Sequence, residues 1–143
     1  MTAGPTIRPL ERHEIEPYIA LLESEGFTPD VDRGMWLGGF VDDVLAGWIR
    51  VFHEGAWMIE DVYVLPAHRS EGLATTLLAE AQNGRDELWL ICDDEMIGFY
   101  EARGYRFMEK EAFPEPLATL YRAKAEWPTG GDHNHNALRW QRG

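Results

Sequence analysis

Apolar positions recur along this chain with two periods, and the switches between them mark out the elements. "TIRPL" reads as a short extended start. In "ERHEIEPYIALLESEG", Ile15, Tyr18, Ile19 and Leu22 return every third or fourth residue, the spacing of one helix face, with Gly26 at the end as a C-cap. Pro17 lies near the first turn, where a proline does little harm. "FTPDVDRG", Phe27 to Gly34, breaks the period as a loop or an interrupted second helix. "MWLGGFV" and "LAGWIRVF" then flank Asp42-Asp43, a hairpin turn, and "HEGA" turns the chain again into the strand "WMIEDVYVLP".

A helical pattern follows from about Ser70 to Ala81, "NGRDE" ends it, and "LWLIC" is a wholly apolar run suited to the middle of a sheet. "DDEMIGFYEARG" predicts a second strong helix with Asp93 or Asp94 as N-cap and Gly104 at its end. "YRFMEK" and "LATLYRA", joined by the Pro-bearing "EAFPEP", predict a closing strand pair. The order β-α-(α)-β-β-β-α-β-α-β-β predicts an α/β fold, a mixed sheet of about seven strands with helices packed on it. Beyond Lys124, "AEWPTGGDHNHNALRWQRG" is rich in breakers. The expectation is one domain over residues 1–124 and a loosely attached extension over 125–143.

Composition narrows the function classes. At 143 residues and 45% hydrophobic, with six Trp, the chain supports one core. No apolar run approaches the ~20 residues of a membrane span. "MTAGPTIRPL" has neither the basic start nor the apolar stretch of a secretion signal, so the expected location is cytoplasmic. The lone cysteine, Cys92, permits no internal disulfide. Thirteen basic residues against 25 acidic ones, a net charge of -12, argue against nucleic acid. The same field either favours a cationic substrate or merely keeps the protein soluble.

The run "VLPAHRSEGLATTLL", Val64 to Leu78, passes from a strand through a small-residue turn into a helix. Such a turn aims several backbone N–H groups and the positive end of the helix dipole at one point, where phosphate fits. Gly72 removes a side chain where backbone must approach a ligand, and Ala74 keeps the next turn slim, so the loop can wrap a pyrophosphate. A purely structural helix start explains the stretch equally well.

A second element follows in order, "GFYEARGYRF", Gly98 to Phe107. Together, "VLPAHRSEGLA" and "FYEARGY" resemble the pyrophosphate-binding motif and the following helix of the Gcn5-related N-acetyltransferase superfamily, and the match runs from about Thr6 to Lys124. The resemblance implies an acyl-CoA N-acyltransferase fold with helices on both faces and acetyl-CoA as cosubstrate. By the same resemblance, pantetheine runs like an added strand along the backbone of Val62, Tyr63 and Val64. Arg69, Ser70, Glu71, Gly72, Leu73, Ala74 and Thr75 cradle the pyrophosphate, mostly through main-chain N–H groups. Three positions depart from the family. Ser70 and Glu71 stand where a Gly and a basic or polar residue are usual, so the Glu71 side chain is expected to point to solvent. Asp93 replaces an Asn that touches the pantetheine arm, and N-capping is its expected role.

Acetyl transfer to an amine needs a deprotonated nucleophile, oxyanion stabilisation and a proton for the departing thiolate. Tyr100, the tyrosine that the family places near the thioester sulfur, is the expected general acid, since a phenol is still protonated at neutral pH. Glu60 is the expected water-mediated base, with Asp61 as alternative because a bulge can exchange their faces. The Val64 N–H is a candidate oxyanion donor. Readings in competition are a different acyl donor, or a non-catalytic acyl-CoA-binding regulatory domain.

The expected acceptor is a primary amine of a small molecule or peptide, cationic or aromatic, with no nucleic-acid or membrane partner and with room for a homodimer. Phe27, Trp36, Phe113 and the acids Glu25, Asp30, Asp32 and Glu111 are candidates to line its site, although core packing explains the aromatics as well. Cys92 reads as an inert thiol, His53 and His68 as turn residues, and His133 and His135 as solvated tail, so no metal site is expected.

Overall fold

A computed structural model describes residues 4–25, 34–119 and 136–143, without the side chains of Asp61 and Lys110. The chain divides into two compact units, Met1–Phe52 with Asp61–Ala81, and His53–Glu60 with Gln82–Gly143.

The first unit holds β1 (Thr6–Pro9), β2 (Met35–Val41), β3 (Val44–His53) and the second half of β4 (Trp57–Val64). Its strands lie in the order β1-β2-β3-β4. β1 and β2 pair antiparallel from Thr6↔Phe40 to Pro9↔Leu37, and β2 and β3 from Met35↔Val51 to Val41↔Val44. Asp42 and Asp43 both take left-handed φ angles, 51° and 65°. That is the twist a two-residue hairpin needs, and Asp tolerates it better than most side chains. β3 is buried almost from end to end because both faces of the sheet are covered. On one face Trp48 packs with Ile15, Leu22, Trp36, Leu45 and Tyr63. On the other, Gly39 and Gly47 leave room for Leu73 of α3 (Leu73–Gln82).

The single helix expected after β1 is instead three pieces: α1 (Arg12–Ile15), a tighter 3-10 turn (Glu16–Tyr18) and α2 (Ile19–Ser24). Pro17 lies in that 3-10 turn and has no N–H to donate, so it interrupts the helix more than its nearness to the start suggested. The run still buries Ile15 and Leu22 completely. The expected C-cap, Gly26, lies outside the described residues.

The second unit holds the first half of β4 with β5 (Glu87–Cys92), β6 (Tyr105–Met108), β7 (Asn136–Gln141) and α4 (Ile97–Glu101). The strand order is β4-β5-β7-β6, with β4 parallel to β5 at Met58↔Trp89 and the other pairs antiparallel. Two expectations fail here. "LATLYRA" does not begin as a strand: residues 117–119 form a helical turn, held by Glu115, which accepts from Thr119 N and Oγ1 at 3.2 and 2.6 Å. Nor is the tail loosely attached over Asn136–Gln141, because that segment is β7, paired on both sides. Ala137 and Leu138 are fully buried. The breaker-rich composition around "ALRW" hid a strand that forms because β5 and β6 offer it two hydrogen-bonding edges. Among the described residues no helix is long and apolar enough to cross a membrane.

Candidate active site

The small-residue turn of the first unit is built from the end of β4 upward. Leu65 N–H donates to Ala46 O at 2.8 Å, Pro66–His68 makes one 3-10 turn, and Arg69 to Gly72 lead into α3. Ser70 and Gly72 both have left-handed φ, 70° and 83°. So the serine standing where the family has glycine keeps a glycine-like conformation. A Cβ at Gly72 meets nothing within 4 Å, which leaves the outer side of the loop open.

Thr76 N–H and Oγ1 both donate to Gly72 O at 3.2 Å. The amides of Leu73 and Ala74 therefore start the helix without an intrahelical acceptor, at the positive end of its dipole. Leu73 differs from its neighbours: its side chain is buried, and a Cβ at Gly39 or Gly47 lies 2.7 or 3.1 Å from its methyl groups. Its side chain anchors the helix start. Ser70, Glu71, Gly72 and Thr75 are exposed and Ala74 is half-buried.

Two charged side chains of the loop are drawn away from its open side. Arg69 Nε donates to Val64 O at 2.9 Å, and its guanidinium lies 5.5 Å from the centre of the Tyr63 ring. The Glu71 side chain is exposed and lies 3.6 Å from His68 Nδ1. An anion meeting this loop thus faces main chain first.

On β4, Val62 and Val64 are half-buried and Tyr63 is buried. The Tyr63 ring stacks on Trp48 at 5.1 Å, and Trp48 in turn tilts against Tyr18 at 5.1 Å. Tyr63 donates its hydroxyl hydrogen to the Glu25 carboxylate. Burial raises the phenol pKa, the bond to Glu25 and the charge there raise it further, and Arg69 opposes both. The sequence offered no period linking Glu25 to Tyr63, 38 residues apart.

In the second unit, a 3-10 turn (Asp94–Met96) precedes α4, which carries Tyr100. The strong helix expected here is thus a short one. Asp93 occupies the cap position and its carbonyl accepts from Met96 N at 3.0 Å, but its side chain makes no cap hydrogen bond. The expected capping by the Asp93 side chain is therefore corrected: the main chain closes this turn. Tyr100 is 7% exposed and meets Phe99 and Tyr105 edge-on at 5.1 and 5.5 Å. Burial pushes its pKa well above the ordinary phenol value; Cys92 and Tyr105 add to the rise and Arg103 opposes it. Tyr105 accepts a hydrogen bond from Gln82 Nε2 at 3.2 Å, whereas the Tyr100 hydroxyl has no such partner among the described residues.

Cys92 is pushed up to about 12, first by burial and then by Asp93 and Asp94, so it stays a thiol. Glu60 is half-buried on β4 and already engaged with neighbours. The side chain of Asp61, its alternative, lies outside the described residues.

Of the acceptor candidates, Trp36 and Phe113 are core residues, Phe113 stacked on Trp89 at 5.4 Å. Glu25 and Glu111 are exposed. Phe27, Asp30, Asp32, His133 and His135 lie outside the described residues. One residue the sequence reading passed over is Arg50, wholly buried in β3 with its guanidinium 5.4 Å from the Trp36 ring and 5.6 Å from the Phe52 ring. Its only signal was a charge inside an otherwise apolar run.

A family model described as the acetyltransferase (GNAT) family matches residues 5–105. No curated protein matches the sequence. Solved structures do. N-acetylglutamate synthase from Neisseria gonorrhoeae, complexed with coenzyme A and N-acetyl-glutamate, superposes with a TM-score of 0.76 at 17% identity over 99% of this chain and 36% of that one. An IAA acetyltransferase from Bacillus cereus gives 0.68 at 15% identity, over 97% of this chain and 100% of that one. An aminoglycoside 6'-N-acetyltransferase complexed with coenzyme A gives 0.67 at 14%, over 95% and 96%. The chain spans about a third of the length of the N. gonorrhoeae synthase.

Proposed function

Because the chain belongs to the acetyltransferase (GNAT) family, we propose that it transfers an acetyl group from acetyl-CoA to a primary amine of a small molecule or peptide by direct attack. The observation that carries this reading is the turn from Arg69 to Gly72: it enters α3 with its outer side open and leaves the Leu73 and Ala74 amides without helical acceptors. A diphosphate fits this turn. The two charged side chains that stand nearest, Arg69 and Glu71, are engaged with Val64 O and beside His68.

The reaction divides among few groups. Glu60, or Asp61 in its place, draws a proton from the ammonium through one water. The free amine nitrogen then bonds to the thioester carbonyl carbon, while the Val64 N–H supports the negative oxygen. The carbon–sulfur bond breaks, the Tyr100 hydroxyl gives its proton to the departing sulfur, and the nitrogen, now part of an amide, releases its second proton to water, from which the phenolate is reprotonated. Burial keeps the Tyr100 phenol protonated at neutral pH, so it holds a proton to give, while the same upward shift makes it a weaker donor than an exposed phenol.

Release of free thiol from acetyl-CoA, followed across polyamines, aryl amines, amino acids, aminoglycosides and peptide N-termini, tests the reading. Amine-dependent release is the expected result. Tight acetyl-CoA binding with no release for any amine would mark a binding domain instead of an enzyme.

A further inference from the structure

Glu25 stands directly after α2, whose last turn holds no basic residue, so the helix carbonyls and the carboxylate add their negative charge at one place. Its backbone is fixed, with the N–H shared between Leu21 O and Leu22 O at 3.2 and 3.1 Å. Its side chain is exposed, yet it is held by the hydroxyl of a tyrosine that is 5% exposed. The Tyr63 ring in turn stacks on Trp48 and has the Arg69 guanidinium 5.5 Å from its centre. Among the described residues Glu25 makes no ion pair, although Arg69 reaches the same phenol and spends its Nε on Val64 O instead. Fixing an exposed carboxylate costs side-chain freedom, which the Tyr63 hydroxyl offsets at one of its two oxygens. A preorganised carboxylate with one oxygen left over is what a cationic ligand requires.

We propose that Glu25 binds a second ammonium group on the acceptor and that Tyr63 is the positioning residue that aims it. The proposal rests on the acetyltransferase reading above for the place of the reacting amine. That amine attacks beside the main chain of Val62 to Val64, and the Tyr63 side chain leads from the same main chain to Glu25. The Tyr63 side chain and its hydrogen bond to Glu25 thus separate the two nitrogens of the acceptor, and a short diamine is the simplest amine that carries a second ammonium to that carboxylate. The reacting nitrogen gives up its proton while the other stays charged on Glu25, so the selection acts on binding and not on the chemical step.

Calorimetric titration of the protein at low salt with putrescine and with n-butylamine tests this directly. Wild type should bind putrescine at least ~10-fold more tightly, the scale of one charge-assisted hydrogen bond. Glu25→Gln should remove that preference, and Tyr63→Phe, which keeps the ring and its stacking, should reduce it ~3-fold or more. In turnover, both changes should raise KM for putrescine with kcat nearly constant. Equal affinities in wild type, or a preference that survives Glu25→Gln in a folded variant, overturns the proposal. Acetyl-CoA binding, titrated separately, reports on the acetyltransferase reading, so failure of that reading is seen apart from failure of this one.

Discussion

Between β4 and α3 the chain exposes its backbone; between β5 and α4 it buries a side chain. The first passage uses two left-handed residues, Ser70 and Gly72, and a helix start whose first amides have no helical acceptor, with Leu73 as its buried anchor. The second uses a 3-10 turn and a five-residue helix to hold Tyr100 among Phe99, Tyr105 and Cys92, where burial governs its proton affinity. An anion site made of main chain tolerates many side chains and depends on φ and empty space. A proton donor depends on one side chain and on everything that keeps water from it. The two passages should therefore fail in different ways.

The largest effect is expected from the support of the second passage. Cutting the chain after Lys124 removes β7 from between β5 and β6, so cooperative melting of this unit should be lost; Leu138→Ala alone should cost about 2–5 kcal/mol. A truncated protein with the parent's Tm would show that β7 contributes little.

Next comes Tyr100→Phe, which keeps the packing and removes the proton. Turnover should fall roughly 10²–10⁴-fold while acetyl-CoA still binds. Wild-type turnover in this variant, measured where chemistry limits the rate, would leave Tyr100 as a packing residue only.

On the first passage, Gly72→Val places a branched side chain in the open space over the loop at a φ of 83°. Acetyl-CoA affinity should fall at least ~10-fold, with about 1–2 kcal/mol of backbone strain showing as a modest drop in Tm. Unchanged affinity in calorimetry would move the pyrophosphate elsewhere. Ser70→Gly should act the other way: relief of left-handed strain, offset by glycine's entropy, stabilises by about 0.5–1 kcal/mol without loss of binding.

The pH response separates the units as well. Tyr105 is pushed up to about 12 by burial, from 10.0, so its contribution is whole below pH 10 and is lost as pH rises through 12. Tyr100 and Cys92, also raised, act in the same direction. In the first unit Glu14 is lowered to about 2, chiefly by its hydrogen bond from Arg8. Its contribution is whole above its ordinary 4.5 and is lost as pH falls through 2. Denaturant titrations across both limbs should show the alkaline loss shrink in Tyr105→Phe and the acid loss shrink in Arg8→Ala.

Reading the chain alone located the first passage better than its details. The Asp42-Asp43 hairpin, the strands on either side, the helix after Gly72 and the apolar strand at "LWLIC" all stand where period and turn chemistry put them. Ser70, Glu71 and Asp93 read as departures from the family, but the conformations of Ser70 and Asp93 were not legible: a serine gives no sign that it will take a glycine's φ, and an aspartate before a helix gives no sign that its side chain will leave the cap unused.

Local periodicity and turn chemistry act over a few residues, and they determined where the helical runs, most strands and the small-residue turn lie. Long-range pairing is a different matter. Only the tertiary structure decided that Asn136–Gln141 is a strand, because its stability comes from edges supplied by β5 and β6 rather than from its own sequence. Only it joined Glu25 to Tyr63 and buried Arg50, since a hydrogen bond across 38 residues leaves no period to read. The burial that sets the pKa of Tyr100 was likewise decided by the side chains packed around it.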